Sequence, residues 1–282
     1  MARRGRTAGI SVLVIVGILV GLVIAAIVII RRIPDHPPMP GEQRCVATAA
    51  GRSVAVDTEQ VQNAAIIAGV SVRRGLAPRA ASIALTTAYQ ESNLRNLDHG
   101  DRDSVGLFQQ RPSMGWGSRK KLMNPVYATN RFYDALIKIH GWENADITRI
   151  AQQIQISGYP DAYRDHESDG RVLASVLTGQ SPAGLRCLIR DRQPGDAAGL
   201  AKSLHRTYKI SPKRSATVIT ISARSGQRAW SYAQYALADA REHGVTSVQV
   251  GGRRYVISKQ KLTSWQTADR AIGRHTVRIT VR

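Results

Sequence analysis

The chain opens on an unbroken apolar run. Ala8 to Ile30 spans 23 residues with no charge and almost no polar side chain. A helix of that length, at about 1.5 Å per residue, reaches ~34 Å and can cross a hydrocarbon core of ~30 Å. A cleaved leader would have a shorter apolar core, about 7–15 residues, ahead of a small-residue cleavage site. Ile29-Ile30-Arg31-Arg32 offers no such site, so the pattern predicts an uncleaved transmembrane helix over 8–30. Arg3, Arg4, Arg6 and the terminal amine outweigh Arg31 and Arg32, which assigns residues 1–7 to the cytoplasm. The expected localisation is therefore the cell membrane, single-pass, with the bulk of the chain outside the cytoplasm. Residues 31–42 contain the stretch IPDHPPMPG and read as a stiff Pro-rich linker.

From 43 to 190 the pattern is helical. Asp57 and Gln60 have capping-box spacing before a helix that runs to Gly75. Pro78 suits the first turn of a second helix, to about Leu94. Asn124-Pro125 opens a third, closed by Gly141; a fourth covers about Asp146 to Ser157, and a fifth lies between Pro160 and Leu177. Arg95 to Met123 is polar, Gly-rich and too long for a plain connector. Arg190 to Gly199 reads as a second linker. Residues 191–282 then alternate: a strand over Ala216–Ser222, a helix over Gln227–His243, a hairpin of Val245–Val250 and Arg253–Ile257 about Gly251-Gly252, and a closing strand over His275–Arg282. The expected fold class is a mainly α domain over 43–190 followed by a small α/β (α+β) domain over 191–282.

Charge sharpens that division. The 282 residues carry 40 Lys and Arg against 20 Asp and Glu, a formal charge of +20. Residues 191–282 hold 17 basic and 5 acidic side chains, whereas 41–190 hold 18 and 14. The excess sits in the last third, where it suits polyanions such as anionic wall polymers. No named nucleic-acid motif accompanies it, so nucleic acid is an unlikely partner. With two cysteines, Cys45 and Cys187, a disulfide-dense scaffold and a four-cysteine zinc site are excluded. An oxidising compartment would let the two pair, and two buried free thiols are the alternative. HExxH, Walker A and GxGxxG patterns are absent, which argues against the commonest zincins, P-loop NTPases and dinucleotide enzymes. No cofactor or metal is expected.

One carboxylate stands out. The second helix has no charged side chain between Ala80 and Gln90, and then comes Glu91 near its carboxyl end. Ala84, Thr87 and Ala88 share its face. Apolar surroundings and the negative end of the helix dipole both disfavour its charged form and raise its pKa. A carboxylic acid kept protonated can protonate a leaving-group oxygen. A Glu pointing to solvent at a frayed helix end is the plain alternative.

The neighbours of Glu91 form a recognisable order. Glu91-Ser92 closes the helix; Gly106-Leu107-Phe108-Gln109-Gln110 follows a Gly/Asp-rich loop; Asn124-Pro125-Val126-Tyr127-Ala128-Thr129-Asn130 opens a later helix. This resembles the lysozyme-like superfamily of lytic transglycosylases and goose-type lysozymes, marked by E-S, G-L-x-Q and N-P-x-x-N-type residues. GDRDSVGLFQQRPSMGWG is similar to the version found in membrane-anchored actinobacterial cell-wall proteins. The resemblance covers about residues 55–180. It implies that Glu91 is general acid and then general base, that Ser92 orients Glu91 or a sugar, and that Gln109, with Gln110 beside it, binds sugar. Trp116, in a Gly-flanked loop, is a further sugar-binding candidate, among aromatics that include Tyr127, Tyr159 and Tyr163; Tyr133 and Trp142 suit the core better. The family's Tyr-Asn-x-Gly motif is missing: the corresponding region reads QQIQISGY, and Gln155 or Tyr159 is the candidate replacement.

The resemblance implies peptidoglycan as partner and its N-acetylmuramic acid–N-acetylglucosamine β-1,4 bond as target. A typical hydrolase needs a second carboxylate, ~5–5.5 Å or ~6.5–9.5 Å from the first. Asp98, Asp101 and Asp103 could supply one, or could brace the loop through Arg95, Arg102 or Arg111. With Glu91 alone, the substrate's own 6-hydroxyl must attack, as in lytic transglycosylases. A muramidase, a non-catalytic wall-binding protein and a nucleic-acid-binding membrane protein are the alternatives.

Overall fold

The structure, a computed structural model, describes residues 42–282. The apolar run 8–30 and most of the Pro-rich linker lie outside the described residues. Among the described residues, no helix is long and apolar enough to cross a membrane.

The chain enters through a hairpin that its hydrophobic pattern only faintly marks. β1 (Arg44–Ala49) and β2 (Arg52–Val56) are joined at Ala50-Gly51, both with positive φ. α1 (Thr58–Arg74) starts at the expected capping box: the Asp57 carboxylate accepts from the amides of Glu59 and Gln60, and the Gln60 side chain accepts from the Asp57 amide. Gly75 ends it in the left-handed conformation. α2 (Pro78–Ser92) begins on its proline and ends at Asn93. The long loop holds a 3-10 turn (Pro112–Met114) and a single-turn helix α3 (Arg119–Leu122). α4 (Pro125–Leu136) is capped by Asn124 and stops a turn earlier than Gly141. α5 (Ile147–Gln155), a 3-10 turn (Ala162–His166) and α6 (Glu167–Leu177) complete the helical part.

β3 (Leu185–Leu188) returns to pair antiparallel with β1. Cys45 lies directly opposite Cys187 in that register, and the two form a disulfide. The segment expected as a plain linker, Arg190–Gly199, already contains Asp196, whose carboxylate caps α7 (Ala197–Tyr208) at the Gly199 amide, 2.7 Å away.

A six-stranded sheet follows: β4 (Lys213–Arg214), β5 (Val218–Ser222), β6 (Val245–Val250), β7 (Arg253–Val256), β8 (Gln266–Thr267) and β9 (Thr276–Val281), in spatial order 4-5-9-6-7-8. α8 (Gly226–Ala238) and the single turn α9 (Ala240–His243) replace the one long helix expected there. The fold is mixed α+β, with a three-stranded sheet beside helices in the first part and helices against a six-stranded sheet in the second.

A common core runs across residue 190. α1 packs on α2 and α4 and also on α7 and α8. The Gln62 amide donates to Asp239 (2.5 Å), Gln234 accepts from the Leu185 amide (2.9 Å), and the Trp265 indole donates to the Leu185 carbonyl (2.9 Å). The Tyr255 hydroxyl both accepts from the Cys187 amide and donates to the Cys187 carbonyl.

Candidate active site

Glu91 sits in the last turn of α2, and that helix end is fixed from three sides. The Gln60 amide of α1 donates to the Asn93 carbonyl and to its side chain, at 3.1 and 2.9 Å. The Asn63 amide donates to the Leu94 carbonyl at 2.8 Å. The Ser92 hydroxyl donates to the Leu107 carbonyl at 2.8 Å, tying the helix to the G-L-x-Q segment. Asn93 and Leu94 both adopt positive φ, 52° and 58°. For a bulky residue such as Leu94 this backbone is strained, and full burial of its side chain offsets the cost.

The carboxylate itself is partly exposed. The Tyr163 hydroxyl, from the 3-10 turn before α6, donates to Glu91 Oε1 at 2.5 Å. Burial raises the Glu91 pKa above the ordinary glutamate value; hydrogen bonds from Tyr163 and Gln155 oppose the rise without cancelling it. Burial, with the negative charge of Glu91 second, pushes the Tyr163 phenol far above its usual range, so it stays a donor. On the same turn, His166 stacks on Tyr89 of α2, with ring centroids 4.8 Å apart, and burial lowers its pKa.

The loop from 95 to 123 packs beside this helix end through the Ser92–Leu107 hydrogen bond. Gly106 turns the chain at φ +79°, and a Cβ there would meet the Leu122 carbonyl oxygen at 2.7 Å. Leu107 and Phe108 are buried, and Phe108 stacks on Phe132 of α4, centroids 4.6 Å apart. The Gln155 amide donates to the Phe108 carbonyl (2.7 Å), which ties α5 to the G-L-x-Q segment.

The remaining expected site residues divide sharply. Gln109 uses its side chain inside the loop, donating to the His99 and Gly106 carbonyls at 3.2 and 3.1 Å and accepting from Ser104. Gln110 is buried and donates to the Ala128 carbonyl at 3.3 Å, joining the loop to α4 rather than facing solvent. Trp116 is partly buried against the core; its carbonyl accepts from Arg131 at 3.1 Å. Tyr159 is 78 % exposed, as is Ile156, on the segment linking Gln155 to Tyr163. An aromatic ring is thus presented between the two elements that contact Glu91.

The loop carboxylates brace. Asp103 accepts from the Ser113 amide (2.8 Å) and from Arg111 (2.9 Å), which hold its pKa down at about 2. Arg95 pairs instead with Asp57 and Glu59 at the start of α1. Asp98 and Asp101 are exposed and pair with His99 and Arg102. Among the described residues, no group of three or more His, Cys, Asp or Glu side chains could hold a metal ion.

Tyr163, named from the sequence only among the aromatic candidates, is the side chain whose contact with Glu91 the sequence did not indicate. It stands four positions beyond the Tyr159 candidate, outside the QQIQISGY stretch, and only the folding of the 3-10 turn against α2 brings it to Glu91. No family model matches the chain, and no curated protein matches it either.

Proposed function

We propose that this chain is a membrane-anchored lytic transglycosylase that cleaves the β-1,4 bond between N-acetylmuramic acid and N-acetylglucosamine in peptidoglycan. The observation carrying this reading is a single partly desolvated carboxylate, Glu91, held at a helix end by a tyrosine hydroxyl. The lysozyme-like order of Glu91-Ser92, Gly106–Gln109 and Asn124-Pro125 supports it. The anchor would be the apolar run 8–30, with residues after Arg32 outside the cytoplasm.

In this mechanism Glu91 starts protonated. Its proton passes to the glycosidic oxygen as the bond to the muramic C1 breaks, leaving an oxocarbenium-like centre. The resulting carboxylate takes the proton of the sugar's own 6-hydroxyl, whose oxygen bonds to C1. The product is a 1,6-anhydro sugar, no water is consumed, and Glu91 ends protonated as it began. Tyr163 is a positioning residue: its hydroxyl fixes the Oε1 carboxyl oxygen. Tyr159 would offer a face to a sugar ring.

A non-catalytic wall-binding role is the second reading, favoured by the amides of Gln109 and Gln110, which are spent on the protein's own backbone. Incubating the full chain with purified peptidoglycan separates the readings. Mass spectrometry should find anhydro-muropeptides from the native chain, with Glu91→Gln reducing the rate at least ~10²-fold. Products one water heavier would mean a muramidase. Binding without products would favour the wall-binding reading.

A further inference from the structure

The outer face of the six-stranded sheet carries an ordered line of charge. Its inner face is apolar: Ile219, Ile221, Val248, Val250, Tyr255, Val277 and Ile279 are buried. Strand register aligns the other face into rows. One row runs straight across all six strands, from Lys213 through Thr220, Arg278, Gln249 and Arg254 to Gln266. Its cations fall on alternate strands, so with strands ~4.8 Å apart they recur every ~9.5 Å. Lys213, Arg254 and Arg278 are all exposed. Among the described residues, Lys213 and Arg278 have no carboxylate partner, and Arg254 has only Asp269 at 3.9 Å, itself 98 % exposed.

The flanking rows decide the shape of the partner. On one side lie Ser222 and Thr276; on the other, Val218, Thr280, Ser247 and Val256. Neither row holds a charge. Within these three rows the cations form one line; exposed Arg270 and Arg274 lie beside it, on the segment whose backbone meets Gln249 and Gly251. A line of positive charge complements a linear polyanion.

The aromatics decide its chemistry. Sequence-tolerant binding of single-stranded nucleic acid relies on exposed rings that stack on bases. Neither the track nor the two rows beside it contain an aromatic residue. Tyr208, Tyr232, Tyr235, Tyr255 and Trp265 are buried, and Trp230 packs against the core with its ring 4.9 Å from that of Trp265. The track offers charge and the Thr220 hydroxyl and no stacking platform; the Gln249 amide is spent on the Gly251 and Arg270 carbonyls.

We propose that this face is a docking track for a linear phosphodiester polymer without bases, of the polyol-phosphate kind, lying across the strands along Lys213, Arg278 and Arg254. The proposal does not depend on Glu91 or on glycan cleavage, and its test is a binding measurement without turnover.

The full chain is titrated with fluorescently labelled poly(glycerol phosphate) over a range of salt. The triple variant Lys213→Gln/Arg254→Gln/Arg278→Gln should weaken binding at least tenfold at low salt. Its log–log salt slope should fall by about 2, at ~0.7 per lost phosphate contact. The control triple Lys120→Gln/Lys138→Gln/Arg149→Gln removes the same charge from exposed positions off the sheet and should stay within twofold of the native chain. Arg278→Gln alone, at the centre of the row, should lower the slope by about 0.7 and guards against a misfolded triple. Equal losses in both triples, no binding by the native chain, tighter binding of an oligothymidine of equal charge, or tighter binding of anionic vesicles would each overturn the proposal.

Discussion

At the residue scale, the proposed chemistry turns on the balance of forces at Glu91. Burial raises its pKa; hydrogen bonds from Tyr163 and Gln155 act the other way. Removing the phenol removes one of the groups that favour the charged form. In Tyr163→Phe the Glu91 pKa should therefore rise further. A general acid must begin protonated, so activity falls as pH climbs through that pKa. The alkaline limb of kcat/KM is expected to move to higher pH in Tyr163→Phe, while the rate on the plateau drops because the carboxyl is less well oriented. A pH–rate profile on peptidoglycan checks this, and an unmoved limb would assign Tyr163 to packing alone. Glu91 was legible in the sequence because a lone acid in an uncharged helix face is conspicuous. Tyr163 was not, because a hydrogen bond across 72 positions leaves no local periodicity.

At the element scale, the site depends on how closely α2 and α6 approach. Gly170 of α6 lies against Thr86 of α2, where an added Cβ would meet the Thr86 amide nitrogen at 2.8 Å and its Cα at 3.1 Å. In an open helix Gly→Ala would gain up to ~1 kcal/mol from propensity. Here the obstacle is backbone, which cannot swing aside, so Gly170→Ala should destabilise by about 1–3 kcal/mol. The shift would also pull Tyr163 and His166 from α2, so activity should fall more than stability alone explains; thermal melts and turnover measured together test both effects. Caps and prolines made most helices readable: the Asp57–Gln60 box, Pro78, Asn124-Pro125 and Gly75 act within one turn of chain. The first hairpin, β3 and α7 were missed. β1 reads RCVATA, whose weakly apolar alternation becomes a strand through pairing with β2 and β3. α7 hid behind the Pro-Gly of an expected linker that also supplies its cap.

At the scale of the whole molecule, residues on both sides of position 190 share buried contacts. Gly69 of α1 lies so near α7 that a Cβ would meet Thr207 and Tyr208 side-chain atoms at 2.5 and 2.8 Å. Gln62–Asp239, Gln234–Leu185 and Tyr255–Cys187 link the two parts by hydrogen bonds. Far-UV circular dichroism and tryptophan fluorescence, the latter reporting Trp116 and Trp142 before residue 190 and Trp230 and Trp265 after it, should therefore melt together. Cys45–Cys187 closes a loop of 142 positions, for which chain entropy gives ~5 kcal/mol. Reduction should lower that single transition by about 2–5 kcal/mol. Two separated transitions in the oxidised chain would show that the parts unfold independently.

The sequence by itself determined the local decisions: where the capped helices start, which carboxylate stands alone on an uncharged helix face, where positive charge accumulates, and the apolar run at the amino end. Each depends on residues within a turn or a strand of one another, or on composition. Tertiary structure decided the rest. It paired the cysteines, delivered Tyr163 to Glu91, spent Gln109 and Gln110 on backbone carbonyls, and aligned Lys213, Arg278 and Arg254 in one row from three separate strands. These are meetings of distant segments, fixed by helix packing and strand register, and a linear pattern of apolar and polar positions does not encode them directly.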